Sequence, residues 1–283
     1  MSNARSFLGI FVSIPLFLLL VGTVHAKDVQ FSGEVLTELE DPVSLVDTYM
    51  DYKKISKKFK CNIQIKKDSR YCVKIEHAIS VRENNKSFIY ATENGFALDK
   101  KNQRLDGHVA SGYVKLFKFE FIGNHKIKLI AKSDLIECGS FGYPCQDYFY
   151  KTGDGPEMGW VLSTGFMNQG TSVTTTLIYA VVNSKIDEIL NTMTEFDSSG
   201  SGSGSGSDGW TSEHYYEKVT TQLTTISTTS DRFSDLDVSV TSTKPKNKKL
   251  KQIDFHKVLK FNSKTNRYDT SEIDKFYDLD NYK

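Results

Sequence analysis

From Cys61 onward the chain is a succession of short runs rich in β-branched and aromatic residues, several with a period of two, and this pattern limits the possible fold more than any other feature. Such runs are typical of strands, whose successive side chains point to opposite faces of a sheet. The pattern predicts a mostly β (α+β) fold with an antiparallel β-rich body. The runs lie at 73–81, 88–91, 113–122, 126–131, 160–163, 174–182, 215–226, 237–241 and 258–261.

A helical pattern precedes these strands. Asp41-Pro42 is an N-cap followed by proline at the first helical position. Residues at mostly three- and four-residue spacings then follow, namely Leu45, Tyr49, Tyr52 and Phe59. We therefore expect an N-terminal helix ahead of the β-rich body.

Two later segments carry local signals. Gly123-Asn124 lies between two strand-like runs and is a turn signal, which predicts a hairpin over 113–131. The stretch 186–193 is ambiguous, because its apolar residues fit one helical stripe that Asn183 or Ser184 would cap.

The first 26 residues have the features of a cleavable secretory signal peptide. Arg5 precedes an apolar run over 7–21, and small residues end at Ala26. The run is about 15 residues long, whereas a membrane-spanning helix needs roughly 20, so cleavage before Lys27 is favoured over an uncleaved anchor. The sequence predicts an exported protein, periplasmic or extracellular, without stable membrane insertion after cleavage.

Four cysteines form two close pairs in sequence, Cys61 with Cys72 and Cys138 with Cys145. An even number of cysteines in an exported chain indicates disulfides, although four cysteines permit three connectivities. Local pairing is our expectation, since 61–65 and 71–75 resemble two strands of a hairpin. The spacings do not match zinc modules, and we predict no metal site and no cofactor.

Charge and low-complexity sequence bear on the partners and the domains. From Lys27 onward there are 35 basic and 35 acidic residues, and this balance predicts no nucleic-acid partner. Local lysine clusters at 53–54, 57–58 and 244–251 are interpreted as solvated faces. We expect the Ser/Gly tract 198–207 to be a disordered loop or linker. We favour one β-rich mature domain over 27–283 and leave two domains open.

Common catalytic signatures are absent from the sequence. There is no G-x-S-x-G elbow, no H-E-x-x-H, and no P-loop or dinucleotide motif outside the Ser/Gly tract. The histidines from Lys27 onward are scattered singly, and His77 directly follows Glu76, whose side chain should face the opposite side of a strand. We therefore nominate no catalytic residue.

The segment 138–160 is the best candidate site. It interleaves aromatic residues with glycines and prolines, and a disulfide would pin part of it. A pre-organised aromatic loop loses little entropy on binding, although some of its rings would equally well cover the edge of a sheet. The candidate binding residues are Phe141, Tyr143, Tyr148, Tyr150 and Trp160.

Three functional hypotheses remain. The first is an exported, periplasmic binding protein without enzymatic activity, an inhibitor or immunity protein with a protein partner in the cell envelope. The second is a secreted cell-envelope hydrolase whose acid or His-acid pair does not show in the sequence. A surface or adhesion component is the third, based on the Thr- and Ser-rich segment 220–230.

Overall fold

A computed structural model describes residue 39 and residues 41–277, except for 53–54, 67–68, 106, 108–109, 169–170, 199–216, 227–231 and 247–248. Two seven-stranded antiparallel sheets dominate it, and the predicted mostly β architecture is confirmed. The predicted signal peptide, 1–26, lies outside the described residues. Among the residues that are described, no helix is long and apolar enough to cross a membrane.

Sheet A is built by the first half of the chain. Its strands are β1 (Ile55–Ser56), β2 (Cys61–Lys66), β3 (Ser69–Glu83), β4 (Lys86–Leu98), β5 (Gly112–Gly123), β6 (Lys126–Lys132) and β7 (Ile136–Cys138). Strands β1 to β6 are neighbours in chain order, and β7 also pairs with β5. The predicted hairpin is β5–β6, and Asn124 and His125 in its turn have φ angles of 50° and 55°, as the tight turns favoured in hairpins require.

Sheet B follows, with the strand order β14-β13-β12-β11-β10-β9-β8. Its strands are β8 (Gln146–Lys151), β9 (Met158–Asn168), β10 (Thr171–Val182), β11 (Lys185–Asp197), β12 (Lys218–Ile226), β13 (Asp235–Lys246) and β14 (Lys249–Leu259). A small hairpin and a short helix end the described chain, namely β15 (Phe261–Asn262), β16 (Arg267–Tyr268) and α2 (Ser271–Asp274).

The ambiguous stretch 186–193 is part of strand β11 and not a helix. Asn183 and Ser184 have φ angles of 50° and 66° and form the two-residue turn between β10 and β11 instead of capping a helix. A register shift opposite this region lets the adjacent residues Ile189 and Leu190 both pack in one core. The bulge therefore explains why a strand carries helix-like apolar spacing.

The Ser/Gly tract connects two neighbouring strands of sheet B. Asp197 of β11 pairs with Lys218 of β12, and the Ser198 N–H donates to the Glu217 carbonyl at 3.0 Å. Apart from Ser198, the tract 198–207 lies outside the described residues. The assignment of 27–283 to one domain stays a prediction, and this pairing favours it.

Helix α1 (Pro42–Met50) begins where the sequence indicates. The Asp41 side chain accepts a hydrogen bond from the Ser44 N–H at 2.9 Å, and Pro42 occupies the first turn. The helix ends at Met50, before Asp51 with its left-handed φ of 42°. It is shorter than the apolar spacing indicated, because Phe59 lies in the turn between β1 and β2.

A buried carboxyl group ties the end of α1 to sheet A. Glu93 of β4 is fully buried on the face beneath the helix and accepts hydrogen bonds from the Tyr52 hydroxyl, from Gln64 at 3.0 Å and from the Tyr113 hydroxyl at 2.7 Å. Burial raises the pKa of Glu93, while these donors favour its ionised form.

The opposite face of sheet A packs on sheet B around aromatic residues. Tyr90 of β4 and Trp160 of β9 are completely buried, with ring centroids 5.3 Å apart. The same apolar cluster contains Leu116 from sheet A and Leu162 and Tyr179 from sheet B. The far face of sheet B packs on the C-terminal segment through Tyr268 and Ile273, among others.

A buried ion pair lies within the sheet A side of this interface. Lys118 Nζ of β5 is 2.7 Å from Glu83 Oε2 of β3, and both side chains are buried. The Tyr90 hydroxyl donates to Glu83 and accepts from the Met158 N–H at 3.2 Å. A network of this kind specifies how the sheets fit together, because an unpaired buried charge is costly.

We expect Lys118→Met to lower the free energy of unfolding by about 3–5 kcal/mol, because it leaves the Glu83 carboxylate buried without its cation. Urea denaturation monitored by tryptophan fluorescence measures the change. The double variant Glu83→Gln/Lys118→Met should recover more than half of the loss. Equal losses in the single and double variants would show that packing, and not charge, is responsible.

Candidate functional site

Both predicted disulfides are present. Cys61 is bonded to Cys72 with a Cα–Cα distance of 5.5 Å, and Cys138 is bonded to Cys145 with 5.3 Å. Cys72 lies opposite Ile63 in the β2–β3 pairing, so the first disulfide crosses the hairpin diagonally. The second closes the loop between β7 and β8, which we call the disulfide loop (residues 138–145).

A row of two cations and three aromatic rings connects the two disulfide regions. Lys58 Nζ lies 4.8 Å from the centroid of the Phe59 ring, which in turn is 5.2 Å from the ring of Phe96. The guanidinium of Arg104 lies 5.1 Å from the Phe96 ring and 3.4 Å from the Tyr143 ring. We call these five residues the cation–aromatic ladder. Each such contact between a cation and a ring face is attractive.

Elements distant in sequence hold the ladder in place. Phe59 and Phe96 pack against the Cys61–Cys72 disulfide and Leu98. Arg104 pairs with Leu98 in an isolated β-bridge, which places its side chain between Phe96 and the disulfide loop. The ladder therefore has the Cys61–Cys72 disulfide beneath one end and the Cys138–Cys145 disulfide at the other.

The disulfide loop is held by close backbone contacts. Arg104 Nη2 donates to the Phe141 carbonyl at 2.9 Å, and the Gly142 N–H donates to the Ala110 carbonyl at 2.6 Å. A Cβ on Gly112 would lie 2.0 Å from Pro144 N, so only glycine lets the loop lie this close to β5. The backbone of the disulfide loop is therefore held at several points.

The five predicted binding residues separate into three groups. Phe141 and Tyr143 are 43 % and 61 % exposed, next to Leu105, which is 45 % exposed. Tyr148 is half-buried on β8, and its hydroxyl donates to Gln146. The other two rings, Tyr150 and Trp160, belong to the apolar cores on opposite faces of sheet B. The burial of Tyr150 and Trp160 agrees with the alternative interpretation of the segment 138–160, in which some of its aromatic rings cover a sheet.

Three residues of this surface are not among the binding candidates that the sequence provides. They are Phe96, Arg104 and Phe59, and the sequence places Phe59 only in a helical pattern. Their signal is weak because they come from different strands and loops, and only tertiary pairing brings them to Tyr143. The expected disulfide between Cys61 and Cys72 is the sequence signal for this surface, because it predicts a rigid hairpin directly beside Phe59.

A second constellation lies where an edge of sheet A meets β8. His77 Nδ1 of β3 is 3.0 Å from Asp147 Oδ2, and Asn94 Nδ2 of β4 donates to Asp147 Oδ1 at 2.9 Å. The Asp147 side chain is only 2 % exposed, whereas that of His77 is 51 % exposed. A buried carboxylate thus orients a histidine that solvent can reach.

A β-bulge produces this geometry. The β3–β4 register shifts between Ile75 and His77, which places His77 opposite Thr92 on the face toward sheet B. In a regular strand His77 would share the face of Ile75, beneath α1. The neighbouring residue Glu76 forms an ion pair with Lys74, with Glu76 Oε2 2.5 Å from Lys74 Nζ.

The pair has shifted titration behaviour. The hydrogen bond to Asp147 raises the pKa of His77. Burial favours protonation of Asp147, but hydrogen bonds from His77 and Asn94 outweigh it and lower the pKa of the carboxyl group. The raised pKa of His77 and the lowered pKa of Asp147 both favour the ionic pair of imidazolium and carboxylate.

The two constellations share one face of β4. Asn94 and Phe96 are two residues apart on this strand, a distance of about 7 Å along the same face. Asn94 Oδ1 is buried without a hydrogen-bond partner among the described residues, so it can accept one from a ligand or a water molecule. The ladder and the His77–Asp147 pair therefore lie close to one another.

Within the described part of the chain, no group of three or more His, Cys, Asp or Glu residues is arranged to hold a metal ion. Comparison with protein-family models, with curated proteins and with solved structures finds no match.

The His77–Asp147 pair should make stability depend on pH. Because the pKa of His77 is raised on folding, its contribution is complete below the pKa of the unfolded state, about 6.5, and is lost as the pH rises through the raised value. The free energy of unfolding should fall more between pH 5.5 and 8.5 (roughly) in the wild type than in His77→Gln. Parallel pH profiles of the two proteins would contradict this coupling.

Proposed function

We propose that the protein is an exported, non-enzymatic binding protein of inhibitor or immunity type, which binds a protein partner of the cell envelope through the disulfide loop. The observation that carries this proposal is the exposed Tyr143 ring, held against Arg104 in a loop closed by Cys138–Cys145. Its location is periplasmic or extracellular, where disulfides persist.

The energetics of binding support this role. Tyrosine and arginine are enriched among the residues that contribute most to protein interfaces. Phe141, Tyr143 and Leu105 expose apolar surface on a backbone that hydrogen bonds already hold. Such a surface loses little conformational entropy on binding, so more of its burial energy is available for affinity.

Removing both rings tests the proposal. Phe141→Ala/Tyr143→Ala should weaken capture of the partner from an envelope extract by about 30-fold or more, because buried aromatic anchors at interfaces contribute about 2 kcal/mol or more. Pull-down with quantitative mass spectrometry identifies the partner, and titration of the purified pair gives the affinity.

Ile122→Ala is the matched control, since Ile122 is an apolar residue, 57 % exposed, near the end of β5. It should leave partner binding unchanged. Equal binding by the loop variant and the wild type would overturn the proposal, and so would equal losses in the loop variant and the control.

A second candidate function is a secreted cell-envelope hydrolase, which the His77–Asp147–Asn94 constellation favours. With Asp147 holding its Nδ1–H, a neutral His77 has Nε2 free to accept a proton from a water molecule that attacks the substrate. The same histidine would then protonate the leaving group, so the proton is returned within one turnover.

If this second function holds, His77→Gln should reduce hydrolysis of purified envelope material by about 100-fold or more, the usual contribution of a general base. His125→Gln is the control, because His125 is an exposed histidine in the β5–β6 turn. Release of soluble fragments measures the rate. Wild-type activity in His77→Gln, or no activity in the wild type, would exclude this role.

A further inference from the structure

A cluster of cations surrounds the cation–aromatic ladder. Four segments meet here: the turn 57–60, the start of β3 at Arg70, the β4–β5 connection 99–105 and the disulfide loop. These ranges contain seven cations and one acid, Asp99, and the remainder of the β4–β5 connection, 106–111, adds a second acid, Asp106, which lies outside the described residues. We call the cations the basic rim: Lys57, Lys58 and Lys60 of the turn, with Arg70, Lys100, Lys101 and Arg104.

Hydrogen bonds join these segments into one surface. Lys58 Nζ donates to Gln103 Oε1 at 2.8 Å, and Arg70 Nη1 donates to Asn102 Oδ1 at 2.9 Å. Asp99 is hydrogen-bonded within its own turn, since its Oδ1 accepts hydrogen bonds from the backbone N–H groups of Lys101 and Gln103. Three cations of the basic rim, Lys58, Arg70 and Arg104, are therefore held by side-chain hydrogen bonds next to the exposed loop.

The charge of the basic rim is not neutralised within the described part of the chain. None of its seven cations forms an ion pair there, whereas lysines elsewhere do, such as Lys86 with Glu120 at 2.7 Å. Arg104 Nε is also buried without a partner among the described residues. Among the described residues, this surface therefore carries positive charge that no ion pair compensates, beside exposed apolar side chains.

We propose that the basic rim binds an acidic segment of a protein partner, whose carboxylates pair with these cations while its apolar side chains contact Phe141, Tyr143 and Leu105. The proposal rests on the proposed binding function and specifies the chemistry of the partner. An apolar centre bordered by charged residues is the arrangement found in protein interfaces. Ammonium groups that can pair with carboxylates come from the exposed lysines of the basic rim, Lys57, Lys60, Lys100 and Lys101.

The charge of the whole chain favours a protein partner over a nucleic acid or an anionic membrane. From Lys27 onward the net charge is zero, so the seven cations of the basic rim leave the rest of the chain with an excess of seven negative charges. A long polyanion or an extended anionic surface would also lie near the negatively charged rest of the chain, which repels it. A short acidic segment contacts the basic rim alone. Arg104 also covers one face of the Tyr143 ring and reduces its use for stacking on bases.

The test compares two triple variants with equal changes of charge. Lys58→Gln/Lys100→Gln/Lys101→Gln removes three cations of the basic rim, and Lys126→Gln/Lys128→Gln/Lys132→Gln removes three exposed cations of β6. The probe is a fluorescent copolymer of glutamate and tyrosine, titrated with the purified protein at low and moderate salt. The affinity of the rim variant should be about 10-fold or more below that of the wild type, with a weaker dependence on salt.

The β6 variant should bind the copolymer like the wild type. Equal losses in both variants would overturn the inference, because they would reflect net charge alone. Tighter binding of single-stranded oligothymidylate, or of phosphatidylglycerol vesicles, at the same lysines would overturn it in favour of another class of partner.

The captured partner separates this inference from the proposed function. If the rim variant retains the partner while Phe141→Ala/Tyr143→Ala loses it, the acidic-partner inference fails and the proposed function stands. If the loop variant retains the partner, the proposed function itself fails. Loss of the partner in both variants, together with a wild-type result for the β6 variant, supports both.

Discussion

The packing of sheet A on sheet B around Tyr90 is the interaction on which the rest of the structure depends. Its ring contacts Trp160, its hydroxyl donates to Glu83, and the Met158 N–H donates to it. Farther along the same face of β4 lie Asn94 and Phe96. One strand face therefore carries the joint between the sheets, the partner of Asp147 and the centre of the cation–aromatic ladder.

In the proposed function, two disulfides pre-order the binding surface at this end of the molecule. Cys61–Cys72 lies in the small core beneath Phe59 and Phe96, and Cys138–Cys145 closes the loop that carries Tyr143. Cross-links and hydrogen bonds restrict loops that would otherwise lose entropy on binding. The basic rim adds charge to this pre-ordered surface, and charge governs the rate and selectivity of association more than its overall strength.

Much of the local structure could be predicted from sequence because it depends on contacts close along the chain. The Asp41 cap, the turn at 124–125 and both disulfides join residues separated by at most eleven positions. Residues 186–193 were ambiguous because a β-bulge gives a strand helix-like apolar spacing. Arg104 and His77 were not assigned, since the hydrogen bonds of their side chains reach partners 37 or more residues away.

By itself the sequence determined the antiparallel β-rich architecture, the short helix at 42–50 and the pairing of cysteines, because periodicity, capping and short loop closure act locally. Only the tertiary structure decided which of the predicted aromatic residues are exposed. It buried Trp160 and Tyr150, left Phe141 and Tyr143 at the surface, and set Arg104 against Tyr143. The physical reason is that exposure and long-range pairing follow from how two sheets pack, which no local pattern encodes.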